Sequence, residues 1–163
     1  MSSLSSKVFR AILVVLGALN IFIGINIGFG GILTLGWQGQ TKFLEVTNEY
    51  GYLMQDSHIR YFGGLYIGVG LFLILASTNL RKYQTALNLV FFLTFMGGLA
   101  RFTMLRPDII FGQDIIGSLL AELLLMPILY LWLSKLVKSS PSMSEQLPEK
   151  HRPAEAEGLW HNL

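Results

Sequence analysis

Four long apolar runs, parted by short polar breaks, set the pattern of the chain. They cover residues 8–31, 59–77, 85–105 and 115–137. Each approaches the roughly 20 apolar residues a helix needs to cross a bilayer. The pattern therefore predicts an all-α protein: a four-transmembrane-helix bundle formed by residues 1–138. The first run is too long for a signal-peptide core, and no A-x-A pattern ends it, so it reads as a retained helix.

Small residues mark the faces on which these helices should meet. Gly17, Gly24, Gly28 and Gly31 fall on one face of the first helix, with Asn20 beside them. Arg60, Gly63, Gly64, Ile67 and Leu71 share a face of the second. Gly24/Gly28 and Gly64/Gly68 are both GxxxG spacings, which let backbones approach closely in lipid, where dispersion replaces the hydrophobic effect. The pairs Gly63-Gly64 and Gly97-Gly98 are expected at helix crossings.

The breaks carry their own signals. Residues 34–57 form the longest connection, and Phe43, Val46, Tyr50 and Leu53 recur at helical spacing. This predicts a short amphipathic interfacial helix between helices 1 and 2. Asn79-Leu80-Arg81-Lys82-Tyr83 is a tight basic turn. Arg106-Pro107-Asp108 stops the third helix, because proline disfavours a helical residue before it. Asp114 reads as the N-cap of the fourth helix. Pro127 should kink that helix and free a carbonyl near Leu123. Residues 139–163 are polar and contain proline; this irregular C-terminal tail should be cytoplasmic and disordered unless bound. Leu159, Trp160 and Leu163 stand out near its end as a candidate docking anchor for a partner.

Composition narrows the class. Charged residues make up 13% of the chain, against about 25% in soluble domains, which with the apolar runs argues for an integral membrane protein. No cysteine is present, so disulfides, thiolate metal sites and cysteine nucleophiles are excluded. The basic residues are scattered at helix ends, which argues against nucleic acid as a partner. Lys7, Arg10, Arg81, Lys82, Lys135 and Lys138 flank one side of the spans. The positive-inside rule then places both termini in the cytoplasm.

Within the spans, charge is rare. Arg101 follows Gly97 and Gly98, and Glu122 lies at similar depth in the next helix. A charge inside a span costs at least about 2.5 kcal/mol on insertion scales and normally finds a partner. An Arg101–Glu122 bridge that fixes register is one reading. The other counts Arg60 and Arg101 against Glu122 and gives the positive excess to an anionic lipid headgroup or another subunit's carboxylate, with His58 nearby. Catalysis has a thin basis: no HExxH, GxSxG, Walker loop or metal-spaced histidine pair occurs. No catalytic residue, cofactor or metal is assigned.

The R-Y-F-G-G-L-Y-I-G-x-G of helix two, from Arg60, occurs together with G-G-L-A-R at Gly97–Arg101 and E-L-L-L-M-P at Glu122–Pro127. Together these resemble the bacterial four-helix membrane proteins of the domain-of-unknown-function 4345 group. The resemblance implies that Arg60, Gly63, Gly64, Arg101, Glu122 and Pro127 are signature positions, and it carries no activity. The expectation is a non-enzymatic accessory protein of a bacterial inner membrane, a small subunit or assembly factor. Its partners would be membrane lipids and other integral membrane subunits. The alternative is a lipid- or isoprenoid-binding protein, or a small membrane enzyme, built on Arg60, Arg101 and Glu122.

Overall fold

The computed structural model describes residues 3–36 and 46–138. Its elements are α1 (Ser3–Gly30), α2 (Glu49–Thr78), α3 (Gln84–Ala100), α4 (Pro107–Ile110), α5 (Gln113–Leu120) and α6 (Met126–Lys138). Short 3-10 turns follow α1 and α3, at Gly31–Gly36 and Arg101–Met104, and a π turn, Ala121–Leu125, joins α5 to α6. Four helices are long and apolar enough to cross a membrane: Leu4–Thr34, Glu49–Thr78, Gln84–Met104 and Ile115–Lys138. They run up and down, so that α1 begins beside the end of α2 and the end of α6. We call this the terminal end of the bundle.

The helix ends follow local chemistry. Asn48 caps α2, its side-chain oxygen accepting the Gly51 N–H at 3.1 Å. At the other end the Asn79 side chain accepts the Lys82 N–H at 3.0 Å and tightens the turn into α3. Leu105 takes a left-handed φ of 55°, the usual exit from a helix, and Pro107 opens α4. Gly112, not Asp114, occupies the N-cap of α5. The helix starts two residues earlier than a capping Asp114 would allow, which places Asp114 in its first turn.

The second span is longer than the apolar run suggested. The periodicity expected to form a separate interfacial helix is divided: Phe43 lies outside the described residues, while Tyr50 and Leu53 belong to the opening turns of α2. With Asn48 capping and no proline after it, the polar segment 49–58 continues the helix. The tail, including Leu159, Trp160 and Leu163, lies outside the described residues.

Packing is uneven along the bundle. At the terminal end Phe9, Leu13, Leu73, Ala76, Leu87, Phe91, Leu129 and Leu133 form a close apolar core. Trp132 closes it, edge-on to Phe9 at 5.3 Å, with its indole N–H donating to Ser5 Oγ at 3.0 Å. Around the outside Leu19, Phe22, Phe29, Phe92 and Leu131 are exposed, as surfaces facing hydrocarbon should be.

α1 and α2 form the most extensive interface, and glycine makes it. A Cβ added to Gly17 would lie 2.7 Å from the Gly70 carbonyl oxygen, and one on Gly70 2.5 Å from that of Gly17. A Cβ on Gly24 would lie 2.7 Å from the Gly63 oxygen, and one on Gly63 would collide with the Gly28 backbone. The two helices thus touch backbone to backbone. Gly64 and Gly97, expected at crossings beside Gly63 and Gly98, turn away: a Cβ on either meets nothing within 4 Å. Successive residues point about 100° apart around a helix, so only one glycine of each pair can face the neighbour.

Candidate functional site

Each end of the α1–α2 hairpin is closed by an arginine from one helix on the last carbonyls of the other. At the terminal end Arg10 Nη1 donates to the Ser77 and Thr78 carbonyls, both at 2.6 Å. At the opposite end Arg60 Nη1 donates to the Phe29 carbonyl at 2.6 Å. These carbonyls are the acceptors a helix C-terminus leaves unpaired, and a cation there also meets the negative end of the helix dipole.

Asp56 completes the Arg60 cap. It is only 8% exposed. One carboxylate oxygen accepts the Ile32 N–H at 2.7 Å, and the other accepts Arg60 Nε–H at 2.6 Å. The chain reaches this carboxylate through Gly31, whose φ of +69° turns it out of α1. A Cβ on Gly31 would run into the Asp56 carboxylate, so both the backbone conformation and the space require glycine. Thr34 Oγ donates to the Gly31 carbonyl at 2.7 Å and fixes the turn.

The second assembly joins α3 to the fourth span. Arg101 Nε–H and Nη2–H donate to the two carboxylate oxygens of Glu122 at 2.7 and 2.6 Å, a bidentate fork. Both residues sit where the regular helix gives way, Arg101 opening a 3-10 turn and Glu122 within the π turn. Pro127 explains the second of these. It has no N–H, and its ring would meet the Leu123 carbonyl in a regular helix. The chain widens just ahead of it, where the Met126 N–H bonds to the Ala121 carbonyl. The outcome is a π turn carrying Glu122, a type of irregularity often found at functional positions. Gly98 makes room, since a Cβ there would lie 2.8 Å from Glu122 Cβ.

The structure therefore separates residues that the sequence grouped. Arg101 and Glu122 are brought together. Arg60 instead bonds to Asp56, and His58 is exposed and takes no part in either pair. Asp56 is not among the residues the sequence singles out; four residues before Arg60, it has the spacing at which helical side chains meet, which was the available signal. Gly70 was also missed, although Gly17/Gly24 and Gly63/Gly70 share a seven-residue spacing. Beyond the spans, Arg106 forms a two-pronged pair with Asp108 at 3.0 and 2.7 Å. The guanidinium holds the Asp108 carboxyl below its ordinary pKa. Among the described residues no group of three or more His, Cys, Asp or Glu is placed to hold a metal ion.

The protein family described as a domain of unknown function (DUF4345) matches residues 8–133. No curated protein and no solved structure matches the chain.

Proposed function

The chain belongs to the DUF4345 family, and we propose that it is a non-enzymatic integral membrane accessory protein, a small subunit or assembly factor of a larger membrane complex. One observation carries this reading: five charged side chains set among the spans, Arg10, Asp56, Arg60, Arg101 and Glu122, are engaged in holding helices together. Arg10 and Arg60 cap helix ends, Asp56 ties α2 to the turn after α1, and Arg101 is locked on Glu122. A general acid or base must reach a proton on its substrate, and a carboxylate forked by an arginine is poorly suited to that work. The apolar sides of the bundle then serve lipids and neighbouring integral membrane subunits.

Orientation follows from the ends. Lys7, Arg10, Arg81, Lys82, Lys135 and Lys138 flank the terminal end, which the positive-inside rule assigns to the cytoplasm of a bacterial inner membrane. The tail would extend from that face, with Leu159, Trp160 and Leu163 as its docking residues. The alternative, an anionic headgroup held by Arg60, Arg101 and Glu122, needed a positive excess. With Asp56 counted, two arginines meet two carboxylates, and that excess is gone.

Extraction in a mild detergent followed by native mass spectrometry tests the proposal. A second membrane subunit in fixed ratio is the expected result. The chain flying alone, with no protein partner under any gentle extraction, would overturn it.

A further inference from the structure

The two helical pairs, α1–α2 and α3–α6, meet through the apolar core at the terminal end and part beyond it. Between them lies a cleft of about 330 Å³, walled by residues from all four spans, at the small end of the range for ligand pockets. We propose that this cleft binds an uncharged chain lipid through a hydroxyl headgroup.

The surroundings select the class of occupant. Phe62, Leu65 and Leu93 line the cleft and are themselves exposed, so it opens sideways into the hydrocarbon that surrounds the spans. No side chain fills it from α3, because Gly97 stands in the wall and a Cβ there would meet nothing. An alkyl or isoprenoid chain from the bilayer fits such walls. Among the described residues no charged one lines the cleft, and the neighbouring Arg101–Glu122 pair is neutral as a unit. An anionic or cationic headgroup would have no counter-charge and would be desolvated at full cost.

The polar groups in the wall select the hydroxyl. Asn20 of α1, Tyr66 of α2 and Thr94 of α3 all line the cleft, each near the middle of its own span. Asn20 donates an amide N–H to the Leu16 carbonyl at 2.8 Å, and Thr94 donates its hydroxyl to the Val90 carbonyl at 2.9 Å. Thr94 has then given its only proton and can act only as an acceptor, while Asn20 keeps its carbonyl oxygen and its second amide N–H. Hydrocarbon at this depth offers these groups no hydrogen-bond partner, so a ligand that donates is favoured. A hydroxyl donates one bond and accepts another, which the Tyr66 phenol can supply. A ketone or ester head could only accept, from Asn20 or Tyr66, and would leave the Thr94 oxygen without a donor.

The experiment uses the full chain in lipid nanodiscs and a photoreactive hexadecanol, compared with probes of the same chain ending in a methyl or a carboxylate. The alcohol should label peptides within residues 62–73 and 90–97, and unlabelled hexadecanol should compete where hexadecane does not. Thr94→Val keeps the shape and removes the acceptor; it should weaken labelling about fivefold, the effect of one hydrogen bond. Gly97→Leu should fill the cleft and abolish labelling while the thermal transition is retained. If Gly97→Leu fails to fold, Thr94→Val and the competition decide. Equal labelling by the alcohol and the methyl-ended probe, preference for the carboxylate, or indifference to both substitutions would overturn the proposal.

Discussion

The α1–α2 hairpin and the pairing of α3 with the fourth span solve the same problem in opposite ways. In the first, side chains are removed: Gly17 meets Gly70, and Gly63 meets Gly24 and Gly28, so backbones touch. In the second, side chains are added: Arg101 reaches across to Glu122, and a π turn ahead of Pro127 carries the carboxylate. Without a hydrophobic driving force between helices, lipid leaves van der Waals contact and polar bonds as the sources of cohesion. The two pairs each rely mainly on one. The difference predicts different failures. A glycine interface is rigid and tolerates nothing larger, whereas a side-chain bridge can lose its partner and still leave packed helices.

The largest effect should come from the backbone contact. Gly63→Leu should prevent assembly of the hairpin, and even Gly63→Ala should cost about 3 kcal/mol, since its new methyl would meet backbone that cannot rotate away. Gly64→Ala, one residue on, should change stability by less than about 0.5 kcal/mol. Thermal unfolding in detergent compares them directly. Equal losses would mean that the hairpin is not held by this contact.

A smaller effect is expected at the bridge. Arg101→Gln or Glu122→Gln alone should lose about 2 kcal/mol, below the full cost for a buried pair because Arg101 is 36% exposed. The double variant should cost clearly less than the sum of the two. Strict additivity would show that the fork contributes no coupling.

Pro127→Ala sharpens the comparison further. With an N–H restored at 127, the helix can close in regular α form, and Glu122 should turn away from Arg101. Stability should change by about 1 kcal/mol or less. The Arg101–Glu122 coupling measured in that background should fall towards zero. Unchanged coupling would separate the π turn from the bridge.

The smallest effect concerns Arg106 and Asp108, which lie beyond the spans. The folded carboxyl is held below its unfolded pKa, so its contribution is complete above the ordinary carboxylate value and lost as pH falls through the folded one. Both side chains are 60% exposed, so stability should be flat from neutral pH to about pH 5. Only below about pH 4 should a slight loss appear that Asp108→Asn removes. A matching loss in the variant would place the acid sensitivity elsewhere.

Much of this was legible without coordinates. Hydropathy is a local property that sums over a stretch, so the four spans follow from the chain alone. The Arg101–Glu122 pairing was one of two readings the chain offered, because two opposite charges at one depth in lipid have few other partners, and the structure brings the two side chains together. The glycines of α1 were identifiable as a stripe for the same local reason, since their face depends only on the spacing within one helix. Which glycine of Gly63-Gly64 or Gly97-Gly98 meets a neighbour was not legible. That depends on the rotation of one helix against another, and about 100° separates the two choices. Asp56 shows the same limit. Its spacing offered Arg60, but only the positive-φ turn at Gly31 brought the Ile32 N–H to its second oxygen. Pro127 foretold an irregular helix, while the neighbouring helix, through Gly98 and Arg101, decided where the resulting π turn would carry Glu122. The cleft belongs wholly to the tertiary structure, because a space between two pairs of helices is a property of neither sequence segment that borders it.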